Sequence, residues 1–466
     1  MKDSAEQGHG DLKRSLSNRH IQLIALGGAI GTGLFMGSGK SISLAGPSIL
    51  FVYMIIGFML FFVMRAMGEL LLSNLEYKSF IDFAADLLGP WAGFFTGWTY
   101  WLCWIVTGIA DVIAVSAYAQ FWFPDLPQWL PALLCVGLLL ALNLITVKLF
   151  GEIEFWFAMI KLVAIAGLVA AGGYLLCNPE LLSGASRVSL DNLWNDGGML
   201  PHGWTGFFAG FQISIFAFVG IELVGTAAAE THNPRVTLPR AINSIPVRII
   251  IFYVLALATI MVVTPWRDVV ADKSPFVELF LIVGFPAAAA WINFVVLSSA
   301  ASSANSGLFS TSRMLFGLAS EGDAPRAFHR LSKRAVPSNG LLFSCLCLLL
   351  GAMLIYLIPD LMHAFTLITT MSALLFMFVW SIILLSYLAY RNTHPALHVA
   401  SQYRMPGGRL MCWVTLSFFA AVLVLLALKD DTRPALFLAP GWFLLLGLAY
   451  ARRRAVVSFE QGEELV

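Results

Sequence analysis

Apolar residues in this chain gather in long stretches separated by short polar segments, with no extended polar block between the two tails. A helix needs roughly 20 apolar residues to cross a bilayer core. Twelve stretches approach or exceed that length: about 20–40, 46–70, 91–121, 129–149, 155–177, 206–228, 247–265, 284–316, 341–358, 361–390, 410–428 and 435–451. The pattern predicts an all-α integral membrane protein with 12 transmembrane helices.

An even number of spans puts both termini on one side. When the tails and alternate loops are assigned to the cytoplasm, that side collects 21 of the 28 Lys and Arg residues. Among them are Arg235, Arg240 and Arg248, then Arg326, Arg330, Lys333 and Arg334, then Arg452, Arg453 and Arg454. Cytoplasmic loops carry the excess of Lys and Arg, so both termini are expected in the cytoplasm. Residues 1–19 then form a short N-terminal tail with no cleavable signal peptide, and 452–466 a C-terminal tail. The longest outer loop, 178–205, is too short for a domain of its own.

Two spans are interrupted. The first carries Gly27-Gly28-Ala29-Ile30-Gly31-Thr32-Gly33, four glycines in seven residues. Glycine costs a helix interior about 1 kcal/mol against alanine, and an opened backbone in lipid must be satisfied by protein or a water-lined cavity. The sixth span carries Phe216-Ala217-Phe218-Val219-Gly220-Ile221-Glu222, a glycine and an acid near mid-membrane. Breaks in spans 1 and 6 imply two five-span halves, 20–177 and 206–390. Five is odd, so the second half enters from the opposite side. That is a 5+5 inverted repeat with discontinuous helices 1 and 6, its site near the midplane, and two C-terminal helices (410–451) added.

Composition narrows the function. Charged residues are 12% of the chain, against about 25% in soluble domains. The net charge of +1 leaves no footprint for nucleic acid. The six cysteines fall in or beside apolar spans without a CxxC pair, as small core residues do. HExxH, G-x-S-x-G and P-loop patterns are absent, so neither an enzyme, a cofactor nor a metal is expected. His394 and His398 stand four apart but flank Pro395 in a polar loop.

At the first break, a half-helix starting near Thr32 offers unsatisfied N–H groups and the positive end of its dipole. A carboxylate fits there, with the Thr32 hydroxyl as a further donor. The alternative is close helix packing through Gly27 and Gly31. Glu222 lies deep in span 6, where a charge costs about 2.5–3.5 kcal/mol. Either it exchanges protons or it is a neutral acid bonded to a backbone carbonyl. Lys161 is the one cation inside a span, about 9 Å beyond Phe155 along the helix. It is read as a proton carrier or as a lysine snorkelling to the interface. Asp111 is a candidate for a substrate contact or a polar network, and Glu69 is expected at the interface one turn from Arg65. Span 8 has a hydroxyl-rich run from Ser298 to Ser312, suited to close packing or a polar pathway. Phe216 is a candidate gate.

Long motifs connect these residues to a known family. GGAIGTGLFMGSG at 27–39, GPWAGFFTGWTYW at 89–101, FAFVGIELVGTAAAE at 216–230, LPRAIN at 238–243 and NSGLFSTSRMLFGLASEGDAP at 305–325 resemble amino acid permeases of the amino acid–polyamine–organocation superfamily. The similarity runs from about Leu12 to Arg454 and is greatest to a bacterial small-substrate branch. It implies import of D-serine, D-alanine and glycine across the inner membrane by proton symport, with lipid, a small zwitterion and H+ as the only partners. It implies a substrate carboxylate on Ile30, Thr32, Gly33 and Leu34. The ammonium would lie on carbonyls of Ile30, Phe216 and Val219. It also implies Lys161 as the proton-linked group, in the region where sodium-coupled relatives hold Na+, with Glu222 as helper. Some superfamily members carry Ser for Thr32 and Trp for Phe216. An exchanger without net proton flow is the alternative, ahead of a passive channel or a transceptor.

Overall fold

A computed structural model describes residues 30–145, 147–181, 188–226, 233–282, 286–355 and 361–463. The N-terminal tail, and Gly27 and Gly28 of the first interruption, lie outside the described residues. Within them the chain is helical, with no strand.

The first described helix, α1 (Thr32–Phe35), passes almost directly into α2 (Gly37–Ala45). The expected turn into span 2 falls at Gly46, whose φ of 59° suits glycine. A Cβ there would stand 2.4 Å from Pro201 Cγ. Then come α3 (Ile49–Ser73), α4 (Phe80–Leu88), α5 (Pro90–Ala119), α6 (Trp129–Asn143) and α7 (Val147–Cys177). Span 6 is α8 (Gly203–Ala209), α9 (Phe211–Ser214), a 3-10 turn at Phe216–Phe218 and α10 (Leu223–Thr226), bent by 40° between its halves. Span 7 is assembled from α11 (Pro234–Asn243), α12 (Ile245–Arg248), a π-helical stretch Ile249–Leu255 and α13 (Ala256–Val263). The chain continues through α14 (Pro275–Ile282), α15 (Pro286–Ser320), α16 (Ser338–Ile355), α17 (Leu361–Thr393), α18 (Pro395–Ala400), α19 (Gly408–Ala427) and α20 (Arg433–Glu463).

Among the described residues, eight helices are long and apolar enough to cross a membrane, nine if the bent pair is one span. Two shorter apolar helices, Trp129–Asn143 and Ser338–Met353, add to these. The protein is therefore a multi-pass membrane protein. Burial separates core from rim: 78% of the apolar window is inside the protein for α5 and α17, against 28% for α19 and 17% for α20. Helix α7 is also mostly lipid-facing, with Trp156, Val163 and Tyr174 exposed. Two of its charged residues, Glu154 and Lys161, point the other way and are fully buried.

Short helices fall where the apolar pattern predicts loops, α11 at the head of span 7 among them. The first, α4, starts with a capping box: Ile81 N donates to Ser79 Oγ at 3.2 Å and Ser79 N to Asp82 Oδ2 at 3.1 Å. Ahead of α14, Ser274 Oγ donates to Phe35 O at 2.7 Å and ties that loop to the end of α1. Helix α18 carries His398. The segment expected as a free tail from 452 continues α20 as helix to Glu463. The 178–205 loop is pinned to span 7 and beyond, through Asn192 Nδ2 to Val262 O at 2.8 Å and Trp266 Nε1 to Asp196 O at 3.0 Å.

Candidate functional site

The two interruptions touch. Gly31 is extended (φ −122°, ψ −158°) and α1 starts after it without a side-chain cap. Its first N–H groups, on Thr32 and Gly33, have no carbonyl within the helix to bond. Across from it, the 3-10 turn at Phe216–Phe218 ends in a non-helical Val219 (φ −58°, ψ 137°), followed by Gly220 at φ 96°. Only glycine takes that angle without strain. A Cβ added to Gly33 would stand 2.5 Å from Ala217 Cα and 2.7 Å from Ala217 N. Glycine at 33 thus serves close backbone approach between the breaks. Tyr253, from the π-helical stretch, braces the second break: its hydroxyl donates to Ala217 O at 3.0 Å and its ring stacks on Phe218 at 5.0 Å.

The residues expected to bind substrate surround this contact. Ile30 is buried, and its carbonyl accepts from Ser299 Oγ at 3.0 Å. Thr32 does not leave its hydroxyl open as the sequence reading has it. Oγ1 donates to Asp111 Oδ1 at 2.7 Å, which places α5 beside the first break. Asp111 Oδ2 is buried without a hydrogen-bond partner among the described residues. Leu34 and Val219 are buried. Phe216 is buried too, edge-on to Phe365 of α17 at 6.3 Å.

Lys161 does not reach for the interface. It is wholly buried and donates from Nζ to Ser302 Oγ at 3.1 Å. Ser302 Oγ in turn donates a hydrogen bond to Glu154 Oε2 at 2.8 Å, and Asn305 Nδ2 donates to Glu154 Oε1 at 2.7 Å. Asn143 of α6 completes the cluster, donating to Asn305 Oδ1 at 2.7 Å. Helix α15 supplies this face through Ser299, Ser302 and Asn305, three residues apart and so on one side. Taking two charges out of water costs several kcal/mol per ion unless hydrogen bonds satisfy them, and this network does so.

Glu222 stands elsewhere. Its Oε1 accepts from Tyr100 Oη at 3.1 Å, and Oε2 has no partner among the described residues. The acid tied to Lys161 is Glu154, one residue outside the predicted span 155–177 and not among the candidates read from the sequence. Glu154 and Lys161 are seven residues apart, two helical turns, and that spacing is the signal that could have joined them. Glu69 is a correction of another kind. It is fully buried and held by His398 Nδ1 at 2.5 Å, Tyr387 Oη at 3.0 Å and Met405 N at 2.7 Å. Arg65, its expected partner, instead donates to Asn243 Oδ1 at 2.8 Å and lies over the Tyr403 ring. No cluster of three His, Cys, Asp or Glu suited to a metal occurs among the described residues.

Comparison with known proteins agrees with this architecture. The amino acid permease family model matches residues 20–453. The D-serine/D-alanine/glycine transporter of Escherichia coli K12 is 68% identical over 96% of this chain and 95% of its own length. The amino-acid permease AapA of Bacillus subtilis is 54% identical over 94% of both. The aromatic amino acid transport protein AroP of Escherichia coli K12 is 42% identical over 95% of this chain and 96% of its own. These relatives are permeases, not enzymes, and the chain belongs to the amino acid permease family.

Proposed function

We propose that this chain imports D-serine, D-alanine and glycine by proton symport with alternating access. The observation that carries the reading is the backbone contact of Gly33 with Ala217. Two opened helices meeting in a protein interior leave N–H and carbonyl groups that a zwitterion can satisfy. In this reading the substrate carboxylate lies on the N–H groups of Thr32 and Gly33. Its ammonium lies near the carbonyls of Ile30, Phe216 and Val219, and Phe216 closes over it. Twelve spans, a 5+5 inverted repeat and cytoplasmic termini in a bacterial inner membrane frame the site. The choice of small substrates is supported by 68% identity to a transporter named for them.

Lys161 supports the proton as coupling ion. A buried ammonium bonded to Ser302 sits where a sodium ion would be repelled. Thr32, engaged with Asp111, acts through that carboxylate as an orienting hydroxyl. Glu222, bonded to Tyr100, is a second protonatable group beside the other break.

Uptake of D-serine into sodium-free proteoliposomes tests this, with and without an inward proton gradient. Accumulation above equilibrium only with the gradient is expected of wild type, and its loss in Lys161→Ala. Equilibration whatever the gradient would defeat proton symport in favour of exchange or facilitated diffusion.

A further inference from the structure

Glu154 lies on the buried face of α7, and nothing in the transport cycle above uses it. Both of its oxygens are engaged, Oε2 by Ser302 Oγ at 2.8 Å and Oε1 by Asn305 Nδ2 at 2.7 Å. Asn305 is itself oriented by Asn143 Nδ2 at 2.7 Å, which also donates to Leu139 O at 2.9 Å. Three helices, α6, α7 and α15, thus fix one carboxylate. That is more structure than a helix end requires.

The consequence falls on Ser302. A serine hydroxyl has one proton and two lone pairs. Ser302 directs its O–H at Glu154, so toward Lys161 Nζ, 3.1 Å away, it presents lone pairs only. Hydrogen bonds in a chain polarise one another, and more so at low dielectric. The negative charge of Glu154 is therefore felt at Lys161 through an oriented hydroxyl as well as through space. Asp111 on α5 is the other acid within electrostatic reach of Lys161. Helices α1, α6 and α13 carry no Asp, Glu, Lys, Arg or His. The π-helical stretch brings only Tyr253, and the one charged residue of α15, Arg313, lies about three turns beyond Ser302.

We propose that Glu154 is a positioning residue for proton coupling, acting through Ser302 to govern how Lys161 holds and releases its proton. The assignment rests on the proton-symport reading. Glu154 does not carry the transported proton in this scheme; the proton stays on Lys161 Nζ until it leaves for the cytoplasm. Loss of the carboxylate or of the hydroxyl between them cuts the same relay.

The full chain in sodium-free proteoliposomes tests it, with wild type, Glu154→Gln, Ser302→Ala and the double variant compared. Two quantities are taken from each preparation across a range of external pH. One is D-serine exchange at equal pH on both sides, and the other is accumulation under an inward proton gradient. The ratio of accumulation to exchange should fall at least about fivefold in each single variant, the low end of measured coupling between sites. The pH profile of driven uptake should move, and the double variant should do no worse than the poorer single one, since both cut one path. A wild-type ratio and profile in both single variants overturns the proposal, as does a double variant whose losses multiply. Should Glu154→Gln fail to fold, Ser302→Ala, which removes one hydroxyl, decides alone. Wild type that never accumulates D-serine sinks the symport reading itself, and this assignment with it, before any variant is compared.

Discussion

Gly33→Ala adds one methyl group where the two interruptions touch. The new Cβ would stand 2.5 Å from Ala217 Cα, 2.7 Å from Ala217 N and 3.0 Å from Phe216 C. Non-bonded carbons settle at about 3.5–4.0 Å, so the two segments must part by about 1 Å. All three neighbours are main-chain atoms, so no rotamer change relieves the contact. Overpacking of this sort costs about 1–3 kcal/mol. Misplacing a positioned group by about 1 Å costs function up to about a hundredfold, so transport should suffer more than stability. The matched control is Gly173→Ala on α7, where an added Cβ meets nothing within 4 Å. D-serine uptake into proteoliposomes should fall at least tenfold for Gly33→Ala, about 1.4 kcal/mol, and stay at the wild-type rate for Gly173→Ala. Thermal unfolding in detergent should drop by only a few degrees for Gly33→Ala. Wild-type uptake by a well-folded Gly33→Ala protein would refute the argument that the breaks must touch for transport.

Other perturbations probe separate parts of the molecule. Phe216→Leu removes the ring edge that faces Phe365; the expected result is an apparent KM for D-serine raised about tenfold, near 1.4 kcal/mol, measured by uptake against concentration. His398→Ala strips one of three donors from the buried Glu69 carboxylate. A loss of about 1–3 kcal/mol should follow, seen as a lower unfolding temperature and faster proteolysis between α17 and α19. Burial first, then the charges of Asp82 and Asp323, hold the Glu321 carboxyl above its ordinary value. A carboxyl raised in the folded state favours folding at acid pH, and that contribution is lost as pH rises through the folded value. Glu321→Gln should therefore raise the unfolding temperature at about pH 8 and leave it unchanged near pH 4, and the opposite ordering would reverse the sign assigned to this group.

An all-helical chain that crosses a membrane many times was legible because lipid imposes a length and an apolar composition on each span. The breaks were legible because a glycine there is costly unless something uses the opened backbone. What the chain did not reveal is which distant groups meet. Glu69 sits near the end of an apolar run beside Arg65, and local sequence favours an interface pair. Its burial depends on His398, Tyr387 and the Met405 N–H, all more than 300 residues further along. Glu154 was passed over for the same reason, since its partners Ser302 and Asn305 lie on another helix. The Thr32 hydroxyl looked free until Asp111 was found beside it. Helix α4 is a different kind of omission: Ser79 and Asp82 form a capping signature that a local reading could have used.

The π-helical stretch Ile249–Leu255 gives this membrane helix a residue that an α-helix of the same rise would not hold. Each residue of an α-helix turns the chain by about 100°. Deleting one residue from the stretch would let it relax to a regular helix of nearly unchanged length. It would also swing everything on one side of the deletion by about that angle. Tyr253 would then leave Ala217 O or the cation-rich α11 would lose its register on α3, depending on which end is held. A shortened chain could still insert with the right topology and full helicity, yet have its brace aimed into lipid. In this segment, residue count is thus a rotational setting, and gaps in it should be far less tolerated than substitutions.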